Sequence, residues 1–305
     1  MMNGPGFATD SGISLIDLEF LGTPQAIAAY LIKTNGANVL VESGPATTLP
    51  TLEAGLAANE VGLEDLTHIV VSHIHLDHSG AVGQIVSRNP QVRVLVHEVG
   101  APHLIDPHRL WRSAARIYGD DMERLWGAAL PVPTEQVIPL TDDARFRLGD
   151  RDIRVRWTAG HASHHLVLLD EQTGTLFTGD VGGVHIPNTS YTTTPIPPPE
   201  VNPPAWEVSV QRMRELAPQR LALTHFGVVE DVTPHLDSLM PRLADLMNIG
   251  QQAPDLTDTE ALTTSLRHYQ LAALGDEATP EVLASLALAN PDYLGALGLQ
   301  RLLRT

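Results

Sequence analysis

From Val70 to Gly80 the chain reads Val-Val-Ser-His-Ile-His-Leu-Asp-His-Ser-Gly, placing three imidazoles and one carboxylate within six residues at the end of an apolar run. Side chains of an extended backbone alternate faces, so His73 and His75 project together while Ile74 and Leu76 face the opposite side. Asp77 and the adjacent His78 then turn toward a second centre, and Gly80 gives a flexible turn into the next helix. The chain has 14 histidines in 305 residues. At that frequency a His-x-His-x-Asp-His pattern arises by chance in roughly two chains per thousand. The segment is therefore read as a metal-binding motif rather than a polar loop with coincidental histidines.

The chain contains no cysteine, which excludes disulfides and thiolate ligands, so any metal is held by His, Asp, Glu and water. Three further apolar runs each deliver one ligand-type side chain: Trp157-Thr-Ala-Gly-His161, Leu176-Phe-Thr-Gly-Asp180 and Leu221-Ala-Leu-Thr-His225. Separate strands can thus converge on one site, where rigid elements position ligands better than loops do.

The rest of the pattern is α/β. Short β-type runs at 13–18, 27–32, 38–42, 68–72 and 92–96 are interleaved with helical stretches at 49–58, 107–118 and 120–128. Hairpins follow, with strands at 146–148 and 153–157, then at 166–169 and 175–178. Residues 187–204 hold seven prolines and read as a surface loop, unable to form a central strand or a helix. A helix at 208–216, a strand at 220–224 and a helix at 236–247 come next, followed by a polar break at 250–258. Residues 259–305 read as two or three helices without candidate chemistry. The expected organisation is a catalytic domain over 1–250 and a helical extension over 251–305.

On His-x-His-x-Asp-His followed by His161, Asp180 and His225, the chain resembles the metallo-β-lactamase superfamily over roughly residues 13 to 247. The resemblance implies a four-layer αββα sandwich with metals at one edge between the sheets. It also implies that His73, His75 and His161 hold one metal, that Asp77, His78 and His225 hold the other, and that Asp180 bridges them. Imidazole and carboxylate donors favour Zn²⁺, with Fe or Mn as alternatives. Two such ions about 3.5–4 Å apart share a hydroxide and polarise a substrate oxygen, so no Ser or Cys nucleophile is needed.

The branches of that superfamily differ in detail. β-Lactamases generally lack the bridging Asp, and some use Cys. Glyoxalase II enzymes match all seven ligands but add a basic glutathione-binding region, whereas the last 60 residues here hold only Arg267, Arg301 and Arg304 as basic side chains. Lactonases of the best-known type place a Tyr three residues after the bridging Asp, where this chain has Gly183. The expected activity is hydrolysis of a small carbonyl ester, lactone or thioester by a metal-bridged hydroxide. A one-iron persulfide dioxygenase-like oxidoreductase and a small-molecule phosphodiesterase are the alternatives.

Besides Asp77 and Asp180, His185 and Tyr191 are candidate catalytic residues, because the proline-rich loop that follows Asp180 can lay them over the metals as proton or hydrogen-bond donors. Ile186, Ile196, Val201 and Trp206 are expected to furnish an apolar wall. His165 is expected beside the site, and Arg112, Arg116 and Arg124 on a solvated helix face. A formal net charge of -17 repels polyanions, which argues against a nucleic-acid partner. No apolar run reaches the roughly 18–20 residues of a membrane span. The start, Met1 to Gly6, lacks the basic and apolar regions of a secretory leader, so the expected location is cytoplasmic. The expected partner is a small-molecule substrate, with the C-terminal helices available for homo-oligomer contacts.

Overall fold

The computed structural model describes residues 11–304; Met1 to Gly6, read above for a leader, lies outside them. Two six-stranded sheets form the centre. The first contains β1 (Ile13–Asp17), β2 (Ala28–Thr34), β3 (Ala37–Val41), β4 (His68–Val70), β5 (Arg93–His97) and β6 (Val137–Leu140) in sequence order. Its first three strands are antiparallel and its last three continue parallel from β3. The second contains β7 (Arg145–Leu148), β8 (Arg151–Trp157), β9 (Leu166–Asp170) and β10 (Thr175–Phe177) as an antiparallel run. Beyond a separate ribbon, β11 (Val184–His185) with β12 (Thr192–Thr193), the chain returns as β13 (Arg220–Leu223), parallel to β10, and closes with β14 (Gly227–Val229).

The alternation of strand residues explains the layering. In β2, Ala28, Tyr30 and Ile32 enter a cluster shared with Ile153, Leu166, Leu168 and Phe177 of the other sheet, while Ala29 and Leu31 enter a cluster shared with the helices. In β9, Leu166 and Leu168 point between the sheets, and Val167 and Leu169 point outward under helices. Strands buried on both faces read as continuous apolar runs rather than alternating ones. The outer helices on the first sheet are α1 (Leu49–Ala58), α2 (Leu76–Ser79), α3 (Val82–Arg88), α4 (Ala101–Ile105), α5 (His108–Tyr118) and α6 (Met122–Trp126). Those on the second are α7 (Pro203–Glu215), α8 (Val232–Gln252), α9 (Thr259–Leu274) and α11 (Asp292–Leu303), while α10 (Pro280–Ala289) packs on the β11–β12 ribbon through Leu286 and Ala289. The result is the expected α/β sandwich with C-terminal helices.

Several elements differ from the sequence reading, among them α8, which starts four residues before the expected helix at 236–247 and runs to Gln252, into the stretch read as a polar break. α7 begins at Pro203, inside the stretch read as loop, because two prolines occupy its first turn and Asn202 accepts the Ala205 N–H at 3.1 Å; proline is well suited to that turn, whose N–H groups lack intrahelical partners. β6 went unread because its two central residues, Ile138 and Pro139, are exposed and one of them is proline, a composition that an edge strand tolerates. α9 and α11 pack into the core of the second sheet through Leu262, Leu266, Ala296 and Leu299. Among the described residues no single helix is long and apolar enough to cross a membrane.

Candidate metal centre

Each ligand-type residue sits just beyond a strand at one edge of the sandwich. His73 and His75 follow β4, Asp77 and His78 lie in α2, His161 follows β8, Asp180 lies in a 3-10 turn (Gly179–Gly182) after β10, and His225 joins β13 to β14. Two glycines allow the approach. At Gly160 (φ 139°) a Cβ would stand 2.5 Å from the Trp206 backbone, and at Gly179 (φ 49°) it would stand 2.5 Å from His165 Nε2 and Ser72 Oγ. A side chain at either position would push His161 or Asp180 out of the cluster.

The donors fall into two adjoining groups: His73, His75, His161 and Asp180, and Asp77, His78 and His225. In the first, His75 Nδ1 lies 2.9 Å from both His73 Nε2 and His161 Nε2. His161 Nδ1 donates to the Pro195 carbonyl at 3.0 Å, which leaves its Nε2 lone pair facing inward. In the second, His225 Nδ1 donates to the Ala26 carbonyl at 2.7 Å, and its Nε2 lies 3.6 Å from Asp77 Oδ2. Asp180 joins the groups. Its Oδ2 is 3.2 Å from His161 Nε2, and its Oδ1 is 2.9 Å from His78 Nε2 and 3.4 Å from His225 Nε2.

This donor set fits cations. Nitrogen lone pairs converge within hydrogen-bond distance with too few protons between them, and His78 Nε2 and Asp180 Oδ1 are buried without a well-formed hydrogen bond among the described residues. Burial keeps the His73, His161 and His75 imidazoles below their usual range, His75 at about 4, so that all three are neutral ligands near pH 7. At His78 and His225 burial is outweighed by the Asp180 and Asp77 carboxylates, which raise both imidazoles. Asp77 is lowered to about 2: burial opposes ionisation, and His78 and His225 more than offset it.

Surrounding side chains fix the ligands. His165 accepts the backbone N–H of Asp180 at 3.1 Å through Nε2, and its Nδ1 lies 2.9 Å from Thr158 Oγ1. Glu42, unassigned by the sequence reading, is buried at the end of β3 with φ 63°. Its oxygens accept the Ser72 N–H at 3.2 and 3.3 Å, and Oε1 lies 3.4 Å from His78 Nδ1. The signal was an acid closing an apolar strand, Leu40-Val41-Glu42, at the edge that carries the ligands.

His75, Asp77 and Asp180 open onto a cavity of about 670 Å³. Neither His185 nor Tyr191 lines it, which corrects the expectation that the loop lays them over the centre. Tyr191 is buried in a cluster with Ile186 and Leu286, and His185 Nδ1 is occupied by the Tyr191 carbonyl at 3.1 Å. Ile196 and Trp206 likewise belong to the core of the second sheet. The loop instead contributes Pro195, Pro197, Pro198, Pro199 and Glu200. Among the three arginines singled out, Arg124 lines the cavity, paired with Asp121 at 2.8 Å, and Arg112 and Arg116 do not. Two polar groups in the lining take the places expected of His185 and Tyr191. His164 is 8% exposed with Nδ1 unpartnered among the described residues, and burial lowers its imidazole to about 3. Tyr118 is raised by burial and then by the Asp77 carboxylate.

The sequence profile of the metallo-beta-lactamase superfamily matches residues 22–227. A metallo-beta-lactamase fold-containing protein of Sulfurisphaera tokodaii, ST1585, is 26% identical over 232 residues, covering 74% of this chain and 83% of its own. The crystal structure of ST1585 superposes with a TM-score of 0.68, covering 96% of this chain and 99% of that one at 20% identity. A metallo-beta-lactamase family protein of Thermus thermophilus, TTHA1429, has the same TM-score at 21% identity, covering 97% of this chain and 94% of that one. Thioesterase pkgB of Emericella nidulans is 23% identical over 177 residues, which span 56% of this chain and 42% of the fungal protein. With its profile match running from before β2 to beyond β13 and including all seven ligand-type residues, the chain belongs to the metallo-β-lactamase superfamily.

Proposed function

We propose that the chain is a binuclear metal-dependent hydrolase acting on a small carbonyl ester, lactone or thioester. One observation carries the reading: the two oxygens of Asp180 face different donor groups, Oδ2 toward His161 at 3.2 Å and Oδ1 toward His78 at 2.9 Å. A carboxylate shared in this way is what two adjacent cations require. His73, His75 and His161 would hold one ion, Asp77, His78 and His225 the other, with Asp180 common to both. Zn²⁺ suits these donors best, and Fe or Mn also accept them. Bound there, such ions supply Lewis acidity and acidify water to near neutrality.

The chain's own groups do the rest. His164, neutral near pH 7, and the Tyr118 phenol both line the cavity and can hydrogen-bond a substrate carbonyl or leaving group. Pro195 to Glu200 wall one side and limit water. A carbonyl substrate is favoured over a phosphodiester because, among the described residues, the arginines in the lining are Arg109 and Arg124 alone, the latter already paired with Asp121. A thioesterase among the relatives agrees with this reading.

The test compares metal-loaded protein on aryl esters, acyl lactones, acyl thioesters and bis-aryl phosphodiesters. Carbonyl substrates are expected to lead in kcat/KM. A phosphodiester preference of roughly tenfold, about 1.4 kcal/mol in transition-state stabilisation, overturns the carbonyl assignment.

A further inference from the structure

α5 has no buried residue, yet Leu110, Ala114, Ile117 and Tyr118 recur on it at the spacing of a single helix face. Leu110, Ala114 and Tyr118 lean partly buried on the core of the first sheet, and together with Ile117 they line the cavity. Leu288, Ala289, Tyr293 and Leu294, from the junction of α10 and α11, line the same cavity. Phe20 and Trp126, stacked with ring centroids 5.6 Å apart, add an aromatic surface, and Tyr118 packs edge-on against Trp126 at 5.0 Å. Tyr118 lines the cavity together with His75, Asp77 and Asp180, which joins this region to the metal donors.

At about 670 Å³ the cavity is far larger than an acetyl group needs and falls within the range of sites that enclose drug-sized molecules. Apolar side chains that are only partly buried and line an open cavity leave a cost in water that an apolar occupant removes. The occupant must also place a scissile bond beside His75, Asp77 and Asp180, which open onto the same space.

We propose that this apolar region is an acyl-recognition site, and that the substrate carries an extended apolar acyl group packed between α5 and the α10–α11 junction. The C-terminal helices, devoid of candidate chemistry in the sequence, thereby set specificity, with Leu288 and Tyr293 as the determining residues. The inference rests on the hydrolase reading above for its chemistry but not for its binding claim.

The experiment uses the full chain with acetyl and octanoyl esters of one phenol, so that the leaving group is constant. Metal-loaded wild type is expected to favour octanoyl by tenfold or more in kcat/KM. Leu288→Trp, which fills the cavity from a half-buried position, should bring the octanoyl-to-acetyl ratio below about twofold. Tyr293→Ala, at a side chain 38% exposed, should lower the ratio about threefold and serves if Leu288→Trp does not fold. In parallel, octanoate is titrated into metal-free protein and followed by Trp126 fluorescence, with Trp126→Phe subtracting the other tryptophans; acetate should give no response. Equal hydrolysis of the two esters by wild type, or an unchanged ratio in both variants, overturns the proposal. If no ester is hydrolysed, the hydrolase reading fails, and the octanoate titration decides the cavity: a saturable Trp126 response weakened in Tyr293→Ala upholds it, and none overturns it.

Discussion

His165 Nε2 accepts the backbone N–H of Asp180 at 3.1 Å, so a buried imidazole four residues beyond His161 holds the turn that presents the shared carboxylate. Replacing it with Leu leaves that N–H buried and unpaired, at a cost of about 1–3 kcal/mol. Loss of an orienting partner of this kind typically weakens metal affinity about 10–100-fold. His165→Gln, which retains an acceptor, should recover part of both. Chelator competition and urea unfolding measure the two effects; wild-type affinity in His165→Leu would remove His165 from the account.

Metal binding should release protons from one donor group and not the other. Burial holds His73, His75 and His161 below their usual range, whereas the Asp180 and Asp77 carboxylates raise His78 and His225 against the effect of burial. Ligation requires the neutral imidazole, so proton release on loading should come from His78 and His225. Affinity should therefore rise with pH across the neutral range. Calorimetry in buffers of different ionisation enthalpy reads the number directly; no release and a flat pH profile from about 6 to 8 would contradict the assignment.

Much of this was legible in the sequence, for identifiable reasons. The ligands His73 to His78 sit in one contiguous motif, and His161, Asp180 and His225 each close an apolar run, so local pattern sufficed to find them. Glu42 closes an apolar run in the same way but was read only as a strand end, because its role against Ser72 and His78 depends on β3 lying beside β4. The cavity was misread for a related reason. Ile196 and Trp206 are as apolar as Leu288 and Leu294, and only tertiary packing sends the first pair into the core and the second pair into the lining. His185 and Tyr191 follow Asp180 closely in the chain, but neither lines the cavity: Tyr191 is buried against the C-terminal helices, and His185 meets the centre through its backbone N–H, which donates to the His225 carbonyl at 2.7 Å.

His235 should make the fold acid-sensitive. It is buried on α8, its Nε2 meets the Gly182 carbonyl at 2.7 Å, and burial lowers its pKa from the usual 6.5 to about 4, with that hydrogen bond opposing. The unfolded chain therefore takes up the proton first. The stabilisation is present in full above about pH 6.5 and is lost as pH falls toward 4, an effect on the order of 1–3 kcal/mol. Urea unfolding of metal-free protein at about pH 4.5 and 7.5 should show a smaller difference for His235→Gln than for wild type. Equal differences would assign the acid sensitivity to other groups.

The central claim is that Asp180 joins two ions in one hydrolytic centre, and metal stoichiometry in Asp180→Asn tests it most directly. Wild type should bind two divalent ions per chain by elemental analysis after gel filtration. The variant should retain one at most and lose roughly a hundredfold or more in ester kcat/KM, about 2.7 kcal/mol. Two ions and full turnover in the variant, or a single ion in wild type, would contradict it.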